Sequence, residues 1–370
     1  MEKAEMKDDG CILMIAAFGQ GRDGMSHASC ALRDAWRQKR IGFEAVDFFE
    51  NGGAGVGVKA SDKIKSTIRN RRIAKDLAKE ATACYITPKL SPLGFLSCIP
   101  YFRLCRKNKL PYTLHFHGRA LLGTYQKHIL LRPAIKKWIS CAHKNIALTP
   151  SLQKEMQQLL GGAGDWTAVG NFAGNDMMIS AAELEKKRSV YEQKPLQICY
   201  LSNVIGSKGI FELMHAVAGD ERFSLKIAGG VFPDEQQRFN KILEGSRNMQ
   251  YLGFLSGQEK RRLLTESAVL VLPTRYPTEA QPISIIEALC MGCAVIATPL
   301  PGILDTLGEY PAELIVEKNA LSVKAALESV YNEPEKYYEF IKSNMDACHQ
   351  RFSVEHFAAE IYKNTAVRAD

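Results

Sequence analysis

No uncharged apolar run in this chain of 370 residues approaches the ~18 residues needed to span a bilayer. The longest candidates, Cys11–Phe18 and Ser91–Phe102, are short or broken by Gly and Pro, so a transmembrane helix is excluded. Met1–Gly10 carries both charge signs and lacks the long apolar core of a signal peptide, which leads to the expectation of a cytoplasmic address. Internal repeats and low-complexity segments are also missing. Ten cysteines are present, but they sit singly inside apolar stretches and read as small buried hydrophobes in a reducing compartment, not as a disulfide framework. There is a single Cys-x-x-C, Cys290–Cys293, and no second one to complete a zinc site; its place before an apolar strand favours plain packing over redox or metal chemistry.

What the chain does have is 46% hydrophobic and 24% charged residues, which excludes disorder, and a length that suits two domains. Its formal charge of +8 is unevenly placed: up to Val190 the surplus is +13, and beyond it −5. Apolar runs alternate with amphipathic stretches, the pattern of an α/β chain with parallel sheets covered by helices. In the first half, strands are expected at Cys11–Phe18, Phe43–Phe49, Ala83–Thr87, Tyr112–His117 and Asn145–Leu148. A helix is expected at Met25–Lys39, and another is capped by Ser151 and runs through Leu160. After a polar, lysine-rich stretch, Ala182–Lys194, a second series offers strands Leu196–Leu201, Ser224–Ala228, Val269–Leu272 and Ala294–Ala297. The two units join near Asn171–Lys194, and a last amphipathic helix, Val354–Ala366, is expected to cross back to the first.

Three segments carry chemistry. Gly19-Gln-Gly21-Arg-Asp-Gly24 is a G-x-G-x-x-G between a strand and a helix, with Glu44 twenty residues beyond. It is the nicotinamide-dinucleotide fingerprint by pattern, although its physical content is only a close backbone approach beside a helix N-terminus. It leaves open a dinucleotide, another phosphate or sugar, and a structural turn. In the second half, strand Val269–Leu272 feeds Arg275, Glu279, Gln281, Pro282, Ile283, Ser284 and Glu287. Pro282 suits a helix start, where free amides near Ile283 and Ser284 favour a phosphate. Glu287, five residues on, lies roughly 7.5 Å along the axis, the reach of a ribose attached to that phosphate. Glu279 is placed to accept from sugar hydroxyls or to face developing positive charge. Upstream, Lys208-Gly209 at a strand-to-helix turn offers a point charge for a diphosphate, and Gly229-Gly230 a second close-approach turn at the same sheet edge.

In order and approximate spacing, Lys208-Gly209, Gly229-Gly230, Tyr251-Leu-Gly253-Phe and the Glu279-x₇-Glu287 pair resemble the donor domain of the family 4 glycosyltransferases. The likeness is strongest from Asn171 to Leu307 and looser in the first half, through the glycine loop and His115-Phe-His117-Gly118. It implies a GT-B fold of two Rossmann-like domains facing a cleft: 1–172 with the helix at about 354–370 for the acceptor, and 173–353 for a nucleotide sugar. It further implies a retaining hexosyltransferase working in surface polysaccharide or lipopolysaccharide assembly. The donor would be of UDP or GDP type and the acceptor a glycan or lipid-linked glycan. By the same resemblance Gly19 and Gly21 face the cleft, Lys208 meets the diphosphate and Glu287 holds the ribose. Where the family has an arginine five residues before the lysine, this chain has Asn203, with Arg275 a substitute. His117 is expected near the transferred sugar, with Arg119 assisting, against the alternatives of a metal pair with His115 or a structural histidine. The absence of Asp-x-Asp removes the usual carboxylate site for a metal-bound sugar nucleotide, so no metal and no cofactor are expected.

A basic face is expected from Lys63, Lys65, Arg69, Arg71, Arg72, Lys75 and Lys79, with Arg103, Arg106, Lys107 and Lys109. Without interleaved aromatics or a reader motif, nucleic acid is disfavoured; an anionic membrane surface on the inner side of the cell is a candidate partner. The rival readings are a nucleotide-sugar epimerase of similar fold, an NAD-dependent oxidoreductase and a carbohydrate-binding relative without turnover.

Overall fold

The computed structural model describes residues 10–18, 24–47 and 60–366, and it divides into two units: Met1–Asn171 with Val354–Asp370, and Phe172–Ser353. In the first, strands β1 (Cys11–Ala16), β2 (Phe43–Asp47), β3 (Ala81–Ile86), β4 (Tyr112–Phe116), β5 (Lys144–Ala147) and β6 (Trp166–Ala168) form one parallel sheet of order β2-β1-β3-β4-β5-β6. Helices α1 (Gly24–Gln38), α2 (Ala60–Leu77), α3 (Pro92–Lys107), α4 (Ala120–Lys127), α5 (Arg132–Ser140) and α6 (Pro150–Leu159) connect them. The second unit begins with α7 (Ala181–Glu192) and alternates β7 (Leu196–Leu201), α8 (Ile210–Val217), β8 (Phe223–Ala228), α9 (Gln236–Glu244), β9 (Met249–Tyr251), α10 (Gly257–Glu266), β10 (Val269–Leu272), α11 (Ile283–Cys290) and β11 (Ala294–Ala297). It closes with α12 (Pro301–Leu307), α13 (Ala320–Asn332) and α14 (Pro334–Phe352), and its sheet order is β11-β10-β7-β8-β9.

Strands β10, inside its sheet, and β11, at the sheet's edge, are buried at every position, which is why they read in sequence as unbroken apolar runs and not as alternating ones. Each sheet reverses its strand order once, between β1 and β3 in the first unit and between β7 and β10 in the second. At such a switch point the connections leaving the two neighbouring strands run in opposite directions and leave a crevice at the carboxyl edge. The loops that carry Lys208 and Glu279 leave the ends of β7 and β10, so both lie at that edge.

Two expectations are corrected. Thr149, not Ser151, caps α6: its side chain accepts from the Leu152 amide at 3.2 Å, and Pro150 takes the first helical position, which puts the cap ahead of the proline. The lysine-rich stretch after Asn171 is not a plain connection but helix α7, opened by a reciprocal capping box between Ser180 and Glu183. Its buried stripe is Leu184, Lys187 and Tyr191. The Lys187 ammonium reaches inward to the carbonyls of Leu264 and Thr265 at the end of α10, satisfying the last acceptors of that helix.

The final helix, α15 (Val354–Lys363), belongs to the first unit. The Trp36 indole donates to the Ala358 carbonyl at 3.3 Å, and the Thr113 hydroxyl to that of Asn364 at 2.8 Å. All ten cysteines are unpaired. Cys290 and Cys293 are buried, Cys293 against the Leu264 carbonyl and Cys290 with its sulfur 3.5 Å from that of Cys348 on α14. Among the described residues, no helix is long and apolar enough to cross a membrane.

Candidate functional site

In the second unit, two loops at the switch point are clamped together by backbone. Gly209 ends the β7 loop at φ +78, a left-handed conformation that favours glycine. A Cβ there would lie 2.3 Å from the Pro273 carbonyl oxygen, so no larger residue lets the two loops approach this closely. The Arg275 amide donates to the Ser207 carbonyl at 2.8 Å, locking the loops in register. Across the clamp, the Lys208 ammonium meets the Glu279 carboxylate at 3.2 Å, with both side chains mostly covered (17% and 12% exposed), and lies 5.2 Å from the centre of the Tyr276 ring.

Gly229 provides a second close approach. Its φ is +142, and a Cβ would sit 1.9 Å from the Ser202 carbonyl oxygen. Its amide donates to Gly253 at 2.8 Å and its carbonyl accepts from the Tyr251 hydroxyl at 2.9 Å, which explains why Tyr251 and Gly253 belong to the same constellation. Gly230 follows, 3.6 Å from Asn203 Oδ1 by the same construction, so the position expected to hold an arginine carries a neutral amide beside a glycine turn. Arg275 is exposed on the neighbouring loop.

Pro282 immediately precedes α11 as its N-cap instead of lying within its first turn, with Ile283 and Ser284 opening the helix. One turn on, Glu287 is 4% exposed. Burial raises its carboxyl pKa above the usual carboxylate range, opposed by the ammonium of Lys260 on α10, which donates to Glu287 Oε1 at 2.5 Å. The side chains of Glu279 and Glu287 are thus each paired with a lysine. Gln281 is buried in the loop between them.

Sequence reading missed three parts of this arrangement. Lys260 gave no signal, since it sits among other charges in a helix 27 residues away. Glu235 accepts from the Gly206 amide at 2.7 Å and so holds the start of the Lys208 turn. Gly302, on α12, would place a Cβ 1.7 Å from the Ala280 carbonyl oxygen; it is the floor on which the Glu279 loop rests. The dipeptide Pro301-Gly302 at a helix start was the available clue.

In the first unit, His115 and His117 do share a face, their ring centroids 3.9 Å apart. β4 ends at Phe116, so His117 lies just beyond the strand and is only partly buried. His115 is fully buried, its Nδ1 2.8 Å from the Tyr85 hydroxyl and its Nε2 buried without a hydrogen-bond partner among the described residues. Burial, and secondarily the His117 charge, push the His115 pKa well below the usual histidine range and keep it neutral. No group of three His, Cys, Asp or Glu side chains able to hold a metal occurs among the described residues. Arg119 pairs with Glu155 at 2.8 Å. Gly19, Gly21 and the rest of the glycine loop up to Asp23 lie outside the described residues.

The fold is GT-B. The chain superposes with a TM-score of 0.74 on sucrose-phosphate synthase from Thermosynechococcus elongatus, at 16% identity and covering 96% of this chain and 98% of that one. It superposes with a TM-score of 0.68 on Anabaena Alr3699/HepE, solved in complex with UDP and glucose, at 14% identity over 95% and 98% of the two chains. Residues 182–346, which include Lys208, Gly229, Gly230, Glu279 and Glu287, match the family described as Glycosyl transferases group 1. Among curated proteins, the chain is similar to TuaC of Bacillus subtilis (strain 168), named as a glycosyltransferase of teichuronic acid biosynthesis. It is 25% identical over 254 residues, which is 65% of this chain and 61% of the relative's own length.

Proposed function

We propose that this protein is a glycosyltransferase that moves a hexosyl group from a nucleoside diphosphate sugar, of UDP or GDP type, to a glycan or lipid-linked glycan acceptor. The observation that carries the reading is the pair of lysine–carboxylate contacts: Lys208–Glu279, which joins the two segments that leave a switch point, and Lys260–Glu287, which joins α10 to the helix of the second segment. In this reading Glu287 accepts from the ribose hydroxyls. The diphosphate meets the amides of Ile283 and Ser284 and takes Lys208 away from Glu279, with Arg275 a second cation. Gly229 and Gly230 admit the donor backbone-close, Asn203 and Gln281 line the same loops, and Glu279, once released, faces the donor sugar. Lys208 and the amides stabilise charge that builds on the departing diphosphate oxygen as its bond to the anomeric carbon breaks through an oxocarbenium-like state, and the acceptor hydroxyl adds to that carbon while its proton passes to the departing diphosphate. The chemistry needs no metal and no resident cofactor.

His117 is assigned to the transferred sugar, while the neutral, tyrosine-bound His115 supports its ring. His117→Ala is expected to reduce turnover more than donor affinity; comparing kcat with donor Kd checks this, and an unchanged kcat removes the assignment. The resemblance to the family 4 enzymes supports retention of anomeric configuration, and the likeness to TuaC a role in surface polysaccharide assembly, with the protein working on the cytoplasmic side of the membrane. Anomeric assignment of the product by NMR tests retention.

Calorimetric titration with UDP, GDP, dTDP and NAD⁺, in EDTA and then in magnesium, tests the donor site. The expected result is selective binding of one nucleoside diphosphate in EDTA, lost in Glu287→Ala. Binding of NAD⁺ alone overturns the reading in favour of an oxidoreductase, and turnover of the sugar nucleotide without acceptor overturns it in favour of an epimerase.

A further inference from the structure

The fold divides the motif Cys290-Met-Gly-Cys293. The Cys293 thiol is shared by the carbonyls of Leu264 at 3.2 Å and Ser267 at 3.3 Å, and its sulfur accepts from the Lys187 ammonium at 3.4 Å. Cys290 turns to a different neighbour, α14, and its sulfur lies 3.5 Å from that of Cys348, 58 residues further on. The two thiols that meet are therefore not the two that the sequence places together.

The ends of this contact differ in access. Cys290 is the last residue of α11 and is fully buried; its carbonyl accepts from the Ile179 amide at 3.0 Å and from Nε2 of His349, the residue after Cys348, at 2.9 Å. Cys348 is partly exposed and lines a cavity of about 140 Å³, walled by Thr306, Leu307, Tyr310, Phe340 and Met345. A water needs only about 10–15 Å³ of such space, so a peroxide can reach this sulfur. The hydrogen bond to Cys348 and burial both push the Cys290 thiol well above the usual thiol range. Cys290 thus keeps its proton and donates it toward the Cys348 sulfur, the one that faces the cavity. One turn before Cys290, on the same side of α11, stands Glu287.

We infer that Cys290 and Cys348 are a reversible oxidation site, closing to a disulfide that acts on the helix carrying Ser284 and Glu287; the effect on donor binding rests on the function proposed above. A peroxide is the oxidant. The Cys348 thiolate attacks one peroxide oxygen, the O–O bond breaks, and Cys348 becomes a sulfenic acid while the other oxygen leaves as hydroxide. The Cys290 sulfur then attacks the Cys348 sulfur, and the sulfenic oxygen departs as water with the Cys290 proton. In sum, two thiols lose two hydrogens and one hydrogen peroxide becomes two waters. A small thiol reverses the bond by exchange. In a reducing compartment such a disulfide is transient, a signal and not a staple. Its formation brings two sulfurs from van der Waals contact to bonding distance, so the end of α11 moves toward α14. With only eight residues in α11, that move reaches Glu287 and Ser284, and displacements of about 1 Å in positioning groups are costly.

The test combines peroxide treatment of the reduced protein, disulfide mapping by tandem mass spectrometry, and calorimetric titration with UDP and GDP. A Cys290–Cys348 crosslinked peptide is expected, with nucleoside diphosphate affinity about tenfold lower and restored by dithiothreitol. Cys348→Ser keeps the size of the side chain and is expected to bind like the reduced protein and to ignore peroxide; Cys348→Ala is the second variant should the serine disturb the contact. Absence of the crosslink overturns the inference, as does a Cys290–Cys293 disulfide in its place. Unchanged affinity in the crosslinked protein overturns the action on α11. Peroxide weakening Cys348→Ser as much as wild type would move the effect to another thiol, such as the exposed Cys141, and overturn it too. A reduced protein that binds neither nucleotide would strike the donor reading, while the disulfide map would still decide whether these two cysteines are an oxidation site.

Discussion

Lys208→Ala is expected to lower the rate of sugar transfer by about a hundred- to a thousandfold, the range seen when a preorganised group facing developing negative charge is removed. The size follows from where the ammonium sits. It is mostly covered, held 3.2 Å from Glu279, and carried on a turn whose approach to Pro273 leaves no room for a side chain at Gly209. The turn that carries it is therefore fixed before any donor arrives, and the only rearrangement the proposed reading asks of it is the swing of the ammonium from Glu279 to the diphosphate. Part of the loss should appear as weaker nucleoside diphosphate binding and part in kcat, because charge on the bridging oxygen grows only as the bond breaks. Lys208→Arg keeps the charge but changes its shape, and should recover binding better than turnover. Steady-state kinetics with calorimetry on the three proteins checks this. Wild-type kcat in Lys208→Ala would remove the lysine from the mechanism.

Lys260→Met is expected to act on stability as strongly as on binding. It strips the charge partner from a carboxylate that is only 4% exposed, and an uncompensated buried acid costs on the order of 2 kcal/mol at neutral pH. For a domain of this size that corresponds to a melting temperature lower by roughly 5 °C. The pH dependence has a definite sign. Burial already raises the Glu287 carboxyl pKa in the folded protein above its ordinary value of 4.5, and loss of Lys260 raises it further. Folding then carries the cost of an ionised or forcibly protonated Glu287 at neutral and alkaline pH. The cost disappears below about pH 4.5, where the unfolded chain is protonated as well. The gap between the melting curves of the variant and the wild type should therefore close as pH falls, and Glu287→Gln in the Lys260→Met background should close it at pH 7. A gap independent of pH would mean that the lysine contributes through its packed stem alone.

The parts of this protein that were legible in its sequence are those whose partners are close in the chain or chemically uniform. Leu196–Leu201, Val269–Leu272 and Ala294–Ala297 are strands with the ends expected, because a strand covered on both faces needs nothing but apolar residues. The placement of Lys208, Glu279 and Glu287 on the segments that leave β7 and β10 was legible through their spacing from those strands. α7 was hidden because one of its buried positions is a lysine, whose justification is a set of carbonyls 77 and 78 residues further on. Lys260 was hidden for the same reason: in sequence it is one charge among several in Gln258-Glu259-Lys260-Arg261-Arg262, and only the fold distinguishes it. Gly302 could not be read because its neighbour, the Ala280 carbonyl, is a backbone atom with no side-chain signature. Ser151 and Thr149 are both good caps by residue type, and Pro150 at the first helical position is what gives the role to Thr149.

The clamp between the two loops of the second unit limits how the protein can be re-engineered. Since Arg275 bonds to Ser207 and Gly209 touches Pro273, neither loop has a conformation of its own to transplant. Exchanging the segment around Lys208 for one of a different length would displace Glu279, and a changed segment around Arg275 would displace Lys208. Libraries intended to alter donor preference should therefore move residues 202–209 and 273–282 as one cassette, with Gly302 left in place beneath it.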